Sequence, residues 1–479
     1  MATLGSQFLG TIIMIDPRDI QDLASELSLR PTIVEKDYVL GWLLAGIGND
    51  PEIGQSWIFK GGTCLKKVHF ETYRFSEDLD FTVTRHEDLN KQYLQERFSA
   101  IGEWIYSQCG IELPADQLRF DVYKNKRDGT NAEGRVYYQG PLRSPRSLPK
   151  IKFDLTSDEL VVLAPERRRV AHPYADEPSE GIYVQCYPYS EVFAEKTRAL
   201  EERGRPRDLY DVINLFRQEQ ARPPAEEVRD ILTKKCIYKQ INPPTLGSVH
   251  RFADELKGSW KHMLGHQLPT LPPFESFWSE LPALFHWLEG KKVPVQPAAF
   301  RLSAGERVIR VPFGGRGATE LRGAALQAIR FAGANRLCVE LDYRDEKGER
   351  SMRLIEPYSL RRTSSGDMVL HADRTDGRGH RTYRIDRIVG AQATSQTFVP
   401  RYAIELTPHG SQSVPSAAPP TRPLPRRRGT SQERTFVYEC TVCHRRFSRK
   451  RRTSRMKPHN NKAGQRCFGR TGALVDTRT

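Results

Sequence analysis

A short segment near residue 60 constrains the fold of this chain more than any other. It reads WIFKGGTCLKKVHFETYRFSEDLDFTV over residues 57–83. We predict a short strand ending at Phe59, then a tight turn at Gly61 and Gly62, where glycine allows close backbone approach. A short helix should begin at Thr63, and the free N–H groups at such a helix start attract anions such as phosphate. The segment is not a P-loop, because the GK[ST] ending is missing.

The same segment ends in a strand pattern that carries two carboxylates. Leu79, Phe81 and Val83 alternate and should face the core, which places Asp78 and Asp80 on the opposite face, about 7 Å apart along the strand. Two carboxylates on one face repel each other, and a divalent metal ion is the usual counter-charge. The alternative is a pair of solvated residues on an exposed strand face.

A third carboxylate follows in the segment PKIKFDLTSDE. Ile151, Phe153 and Leu155 alternate inward, so Asp154 should point the other way. If this strand lies beside the first, the three aspartates can hold two Mg²⁺ ions. Two ions can activate an attacking hydroxyl group and stabilise a leaving pyrophosphate.

A further segment, YSEVFAEKTRALEERGRPRDLYDVINLF, predicts two consecutive helices. We expect Ser190 to cap the first helix, Gly204 to end it and Pro206 to begin the second. Asp208 and Asp211 are three residues apart and share a face of the second helix. From spacing alone they are either a surface ion-pair cluster or part of a site.

The motif GGTCLKK…RFSEDLDF resembles the signature of the AbiEii/AbiGii toxin family of nucleotidyltransferases, a branch of the polymerase-β-like superfamily, over about residues 18–290. The resemblance implies that Lys196 contacts the nucleotide phosphates, that Ser76 contacts the triphosphate and that Asp208 supports the catalytic centre. The predicted catalytic residues are Asp78, Asp80, Asp154, Lys196 and Asp208. The predicted nucleotide-binding residues are Gly61, Gly62, Thr63, Ser76 and Lys196.

The family also implies an activity and partners. A nucleoside monophosphate would pass from an NTP to an acceptor hydroxyl, in toxin or phage-defence activity, with the 3′ end of tRNA as the leading acceptor and a separately encoded antitoxin. One alternative is a nucleic-acid-binding regulator built on a degenerate transferase scaffold. Another is a transferase acting on a protein hydroxyl, as in AMPylation.

The region after the transferase is rich in short strands and is similar to WYL domains, which are small Sm-like β-barrels. The resemblance rests on Tyr343, Gly348, Arg353, Pro357 and the run Tyr383–Ile388, whereas Met368–Leu370 replaces the Trp-Tyr-Leu tripeptide. A basic face for phosphate is predicted, unless its arginines are ordinary solvated strand positions. These arginines are Arg353, Arg381, Arg384 and Arg387.

The charge of the chain is concentrated at its C-terminal end. From Thr421 to Thr479 there are 17 Arg or Lys and 3 Asp or Glu, which gives +14 of the total net charge of +15. The first 420 residues are therefore close to neutral, at +1. Such asymmetry indicates a polyanionic partner for the tail, either RNA or DNA.

The tail also contains a set of metal-ligand residues. A Cys-x-x-Cys pair followed by a histidine and a third cysteine predicts one tetrahedral Zn²⁺ site, which would give so small a unit a reason to fold. The expected ligands are Cys440, Cys443, His459 and Cys467. His444 is an alternative ligand, and a disordered basic tail is an alternative structure. The other five cysteines are expected to be core residues.

These patterns predict an α+β protein of several parts. We expect a polymerase-β-like nucleotidyltransferase domain at 14–220, its helical extension at 221–295, a WYL-like β-barrel at 305–407, a linker at 408–434 and a zinc-binding basic tail at 435–475. Residues 1–13 are interpreted as an extension. Eight cysteines in 479 residues exclude a disulfide scaffold, and no apolar run approaches the roughly 20 residues of a membrane span, so we expect a cytoplasmic protein that does not bind membranes.

Overall fold

The computed structural model describes residues 15–27, 29–70, 74–144, 147–218, 221–291, 297–298, 305–309, 323–406, 435–449, 456–469 and 471–478. The chain divides into two compact units, Met1–Ser416 and Ala417–Thr479. The predicted extension at 1–13 and linker at 408–434 lie outside the described residues.

The first unit contains a seven-stranded mixed sheet. Its strands are β1 (Trp57–Lys60), β2 (Asp78–Val83), β3 (Arg119–Lys124), β4 (Thr130–Tyr137), β5 (Lys150–Thr156), β6 (Glu166–Val170) and β7 (Ile182–Cys186). Their order is β3-β4-β5-β2-β1-β7-β6. The pairs β2–β5 and β1–β7 are parallel, whereas the other neighbours run antiparallel. The alternation predicted for β2 and β5 is confirmed, because their apolar residues are buried.

Four helices accompany the sheet. They are α1 (Pro17–Glu26), α2 (Pro31–Asn49), α3 (Gly61–Cys64), which continues into a π-helical turn at Leu65–His69, and α4 (Lys91–Cys109). Asp16 caps α1 with its side chain. Helix α2 packs against β7 and α4 and is buried on nearly all sides, as its long apolar run predicts.

Seven helices follow the sheet in the chain. They are α5 (Tyr189–Arg203), α6 (Pro206–Arg217), α7 (Ala225–Lys239), α8 (Leu246–His250), α9 (Ala253–Leu264), α10 (Glu275–Trp278) and α11 (Leu281–Leu288). Gly204 ends α5 with a φ of 51°, and Pro206 begins α6, as predicted. The prediction that Ser190 caps α5 is wrong. Pro188, in an extended conformation, occupies the cap position, and Ser190 lies buried inside the first turn.

The strand-rich part of the first unit is a six-stranded antiparallel sheet with one helix. The elements are β8 (Arg307–Val308), α12 (Ala324–Asn335), β9 (Leu337–Arg344), β10 (Arg350–Arg362), β11 (Met368–Arg374), β12 (Gly379–Arg384) and β13 (Ile388–Thr397). The main strand order is β12-β11-β10-β9-β13, with β8 paired to β10. The hydroxyl of Tyr210 donates to Asn335 across 2.9 Å, and one buried apolar cluster joins this part to the preceding helices.

The second unit is small and built from short strands. They are β14 (Thr435–Cys440), β15 (Arg446–Arg449), β16 (His459–Asn460), β17 (Arg466–Cys467) and β18 (Gly472–Arg478). Strands β15, β14 and β18 form one sheet, and β16 pairs with β17. Among all the described residues, no helix is long and apolar enough to cross a membrane.

Candidate active site

Strand pairing brings the three predicted aspartates together. Asp80 lies directly opposite Asp154 on the parallel pair β2–β5, and opposite Lys60 on the other side, in β1. Asp78 is two residues earlier on the same face of β2. Asp154 is exposed, whereas Asp78 and Asp80 are half-buried. The three carboxylates therefore open together onto one side of the sheet.

The glycine turn after β1, Gly61 and Gly62, forms the first residues of α3 and lies against this group. The prediction that this helix begins at Thr63 is wrong, because the helix begins at Gly61. Gly61 has a φ of +81°, and a Cβ atom there would come within 2.0 Å of Oδ2 of Asp80. A Cβ atom at Gly62 would come within 2.5 Å of the Arg74 guanidinium and 3.1 Å of the Ser76 hydroxyl. Both positions thus require glycine for a close approach as well as, at Gly61, for the left-handed backbone.

The electrostatics of the group favour a bound cation. Burial and then the neighbouring Asp154 raise the pKa of Asp80 to about 6. The loss of solvent around the carboxyl groups where they face the protein also raises the pKa values of Asp78 and Asp154. In the part of the chain that the structure describes, no Lys or Arg forms an ion pair within 4.0 Å of these three carboxylates. Carboxylate oxygens are the ligands that Mg²⁺ prefers, so the residues present fit a divalent metal.

The carboxylates line a cleft of about 440 Å³ that is mainly basic. Its described lining has eight basic side chains against five acidic ones, and this surplus suits a polyphosphate. The basic residues are Arg74, Arg135, Lys150, Lys152, Lys196, Arg203, Arg205 and Arg207. The predicted residues Gly62, Ser76 and Asp208 also line it. Thr63 is buried, and its hydroxyl donates to the carbonyl oxygen of Asp78, so this side chain secures β2.

A buried chain of ion pairs forms one wall of the cleft. Nζ of Lys196 lies 2.7 Å from Asp211 and 3.6 Å from Asp208. Arg203 donates two hydrogen bonds to Asp208, and Arg74 donates two to Asp211. Both aspartates are fully buried, so the alternative of a surface cluster is wrong.

The protonation of this network is fixed by its cations. Burial acts to raise the pKa of Asp211, but Arg74 and Lys196 hold that pKa well below the ordinary value. Burial likewise opposes ionisation of Asp208, and Arg203 and Lys196 lower its pKa overall. The network keeps Lys196 in place beside the carboxylate group.

The sequence interpretation did not assign the arginines of the cleft. Arg203, Arg205 and Arg207 come from the run RGRPR, where α5 ends and α6 begins, and an arginine at every second position was the available signal. Arg74 carries no such signal, because its role depends on the distant partner Asp211, from a helix far along the chain.

The arginines predicted to form a basic face in the strand-rich part have partners of their own. Arg353 lies over the rings of Tyr343 and Tyr383, at 4.8 and 5.6 Å from their centroids. Arg384 forms ion pairs with Asp367 and Asp386. Arg387 pairs with Glu346, and Arg381 donates to the carbonyl oxygen of His380. A phosphate at this face must therefore compete with existing contacts.

The second unit brings its four predicted ligands together. Their ligand atoms all lie within 4.8 Å of one another, in the cluster Cys440, Cys443, His459 and Cys467. Nε2 of His459 is 3.4 Å from Sγ of Cys443, and Nδ1 is 2.9 Å from the carbonyl oxygen of Lys457. A histidine that donates one ring N–H to a carbonyl presents its other nitrogen to a metal.

The surroundings of these thiols favour thiolates. Backbone N–H groups, first that of Cys443, lower the pKa of Cys440 to about 6, and the N–H of Gly469 donates to Sγ of Cys467. The alternative ligand His444 lies outside the cluster and instead faces Glu439 at 3.3 Å. The residues present fit a tetrahedral Zn²⁺ ion.

Comparison with known proteins identifies the first half of the chain. Residues 42–285, just over half of it, match the family described as nucleotidyl transferase AbiEii toxin of a type IV toxin–antitoxin system. This chain belongs to the AbiEii nucleotidyltransferase toxin family. It is accordingly an enzyme, a nucleotidyltransferase, and the predicted family and α+β fold class are confirmed. Residues 324–393 match the WYL domain, which confirms the second resemblance.

The solved structures that match this chain are distant from it. MenT4, a nucleotidyltransferase toxin from Mycobacterium tuberculosis, is 18% identical with a TM-score of 0.40, covering 57% of this chain and 90% of its own. A putative nucleotidyltransferase from H. pylori is 17% identical with a TM-score of 0.28, covering 49% and 99%. The proteasome accessory factor PafBC of Arthrobacter aurescens is 15% identical with a TM-score of 0.15, covering 53% and 36%. No protein of curated function matches the chain.

Proposed function

We propose that this AbiEii-family chain is a Mg²⁺-dependent toxin that transfers a nucleoside monophosphate from an NTP to a hydroxyl of RNA, with the 3′ end of tRNA as acceptor. The observation that carries the proposal is the register of β2 and β5. It brings Asp80 opposite Asp154 with Asp78 beside them, with no ion-pair partner among the described residues and at the floor of a basic cleft.

The residues of the cleft have different roles in the proposed transfer. The three aspartates would hold Mg²⁺, two ions in our proposal, and this metal would polarise the α-phosphate and neutralise the charge of the leaving pyrophosphate. Lys196, held by Asp211 at 2.7 Å, presents its ammonium group to the phosphates. Gly62 leaves room for the triphosphate to approach the backbone beside Ser76. Asp208 holds Lys196 and Arg203 in position.

The charge of the cleft and of the tail supports a nucleic acid as the acceptor. Arg135, Lys150 and Lys152 line the cleft on the β4–β5 side, where an incoming polyanion would be attracted. The tail carries +14, which also favours a nucleic acid. A protein hydroxyl remains the second candidate acceptor, and we propose that the protein acts in the cytoplasm, away from membranes.

Transfer is tested with each α-labelled NTP, Mg²⁺, total RNA and total protein as acceptors. Label should enter a small RNA band, and Asp80→Asn should lower incorporation by about 10²-fold or more, because a metal that loses one of its ligands is poorly held. The matched control is Asp116→Asn, an exposed aspartate on the loop before β3, which should keep full activity. Equal incorporation by the two variants contradicts the site, and label in protein alone indicates AMPylation.

The toxin role is tested in cells. Expression of the chain without an antitoxin should slow growth, Asp80→Asn should relieve the effect, and Asp116→Asn should not. Co-expression of the separately encoded antitoxin should also restore growth. Growth inhibition that persists with Asp80→Asn would assign toxicity to something other than nucleotidyl transfer, for example to nucleic-acid binding by the basic tail.

A further inference from the structure

A second group of metal-ligand side chains lies buried beneath the glycine turn. Cys64 ends α3, His69 ends the π-helical turn that follows, and Cys186 ends β7. Their ligand atoms lie within 4.8 Å of one another. All three side chains are at most 1% exposed. The sequence assigned the two cysteines only to the core.

The histidine of this group is oriented like a metal ligand. Nε2 of His69 lies 3.3 Å from the carbonyl oxygen of Tyr187 and donates its proton there. Nδ1 then carries the lone pair, and this buried atom makes no hydrogen bond with any described residue. Buried polar atoms nearly always have a partner. A metal ion between Nδ1 and the two sulfur atoms would supply one.

The local charges permit such an ion. Two thiolates would neutralise a divalent metal, and the nearby Arg168 is itself paired with Glu166. Thiolate and imidazole ligands select soft or borderline ions such as Zn²⁺ over Mg²⁺. Cys64 and His69 follow β1 in the chain, and Cys186 lies on β7, which pairs with β1 at Phe59 and Cys186.

We propose that Cys64, His69 and Cys186 bind a Zn²⁺-class metal ion that fastens the glycine turn to β7. The site is separate from the Mg²⁺ group and from the Cys/His cluster of the second unit. The ion holds this segment in place, because Gly61 and Gly62, three and two residues before Cys64, lie against Asp80 and Ser76. It has no contact with substrate.

The proposal is tested by metal analysis of the full chain purified without chelator. The wild type should hold two Zn²⁺ per chain, one in each cluster. The double variant Cys440→Ser/Cys467→Ser should keep only the ion of the first unit. The double variant Cys64→Ser/Cys186→Ser should keep only the ion of the second unit, and the variant with all four substitutions should hold no zinc. The control Cys109→Ser/Cys338→Ser replaces two buried cysteines outside both clusters and should keep two.

Co²⁺ gives a second readout that does not depend on activity. In the Cys440→Ser/Cys467→Ser background, Co²⁺ should produce a thiolate charge-transfer band in the near-ultraviolet. His69→Gln retains both thiols and should weaken Co²⁺ binding at least about tenfold, which keeps the test valid if the cysteine variants fail to fold. Absence of both metal and band in that background, or a mass 2 Da lower from a Cys64–Cys186 disulfide, would overturn the proposal.

Discussion

At the scale of single residues, the site depends on the absence of a side chain at Gly61. Gly61→Ala combines a φ of +81° with a Cβ atom 2.0 Å from Asp80. Gly366→Ala is a matched control, since Gly366 has a φ of 92° and nothing within 4 Å of a Cβ atom. Both variants should lose about 1 kcal/mol or more of stability from backbone strain, measured by urea unfolding. Only Gly61→Ala should lose nucleotidyl transfer, by about 10²-fold, and loss by both contradicts this geometry.

His172 is a buried residue outside the site, and we expect it to make stability depend on pH. Burial lowers its pKa although Asp176, whose Oδ1 lies 3.7 Å from Nε2, acts in the opposite direction. As pH falls through the ordinary histidine pKa of about 6.5, the unfolded chain takes up a proton that the folded chain resists. The folded chain should therefore keep its full stability above that pH and lose part of it as the pH falls further.

The check is the urea midpoint at pH 7 and at pH 5. The wild type should have a lower midpoint at pH 5, and His172→Gln, which cannot take up this proton, should show a smaller difference between the two. His86→Gln replaces an exposed histidine and should leave the difference unchanged. An equal loss in wild type and His172→Gln assigns the pH dependence to other groups.

Some site residues could be predicted from sequence because one-sided burial fixes which face a side chain takes. The alternation around Asp78, Asp80 and Asp154 placed all three away from the core, as the structure has them. That Asp154 lies beside Asp78 and Asp80 was harder to predict from the sequence. Strands β2 and β5 are neighbours in the sheet although β3 and β4 lie between them in the chain. The group at Cys64, His69 and Cys186 left no spacing signal, since it forms only when β7 pairs with β1.

At the scale of elements, the ion pairs of Asp211 join α6 to α5 and to the segment before β2. Asp211→Asn removes the charge that faces Arg74 at 2.8 Å and Lys196 at 2.7 Å in a fully buried setting. Breaking a buried pair leaves an uncompensated charge and should cost about 3–5 kcal/mol. Urea unfolding measures this loss.

The control for Asp211 is an exposed pair. Asp230 and Lys234 lie one turn apart on α7, with side chains more than half exposed. Asp230→Asn should cost less than about 1 kcal/mol. Similar losses for the two variants would mean that the Asp211 network is solvated in solution.

The element predictions succeeded and failed for identifiable reasons. Pro206 and Gly204 set helix ends through their own backbone preferences, and both were predicted. The cap at Ser190 was wrong because Pro188 provides the extended residue that precedes α5. Helix α12 was missed among strands, although Leu326, Ile329 and Phe331 give it a buried face.

The strands of the second unit should depend on its metal. Cys440 and Cys467 end β14 and β17, so an ion held by them ties the two small sheets together. Cys440→Ser/Cys467→Ser should lose one equivalent of Zn²⁺, and limited proteolysis should then cut within residues 435–478. Val442→Ser changes an exposed residue between the ligands and should retain the metal. Unchanged metal content in the double variant would place the zinc elsewhere.

At the scale of the whole molecule, the two units differ in net charge. Residues 421–479 carry +14, and the preceding 420 residues carry +1. Arginine, the main basic residue of the tail, offers a planar fork that matches phosphate oxygens. The first unit is compact without the second, so the tail can be removed while the transferase fold is kept.

If the tail binds RNA, the affinity of the chain for RNA should fall steeply as the salt concentration rises. Each neutralised phosphate on a single strand contributes about 0.7 to the slope of log affinity against log salt concentration. Deleting residues 421–479 should weaken RNA binding and flatten that slope, because most of the net positive charge is lost. Transfer at saturating RNA should persist, with the loss appearing mainly in KM. Titrations of labelled RNA and duplex DNA across a salt series compare the two chains. Equal affinities and slopes for the two chains would show that the basic cleft of the transferase binds the acceptor without help from the tail. The tail would then bind another polyanion or none.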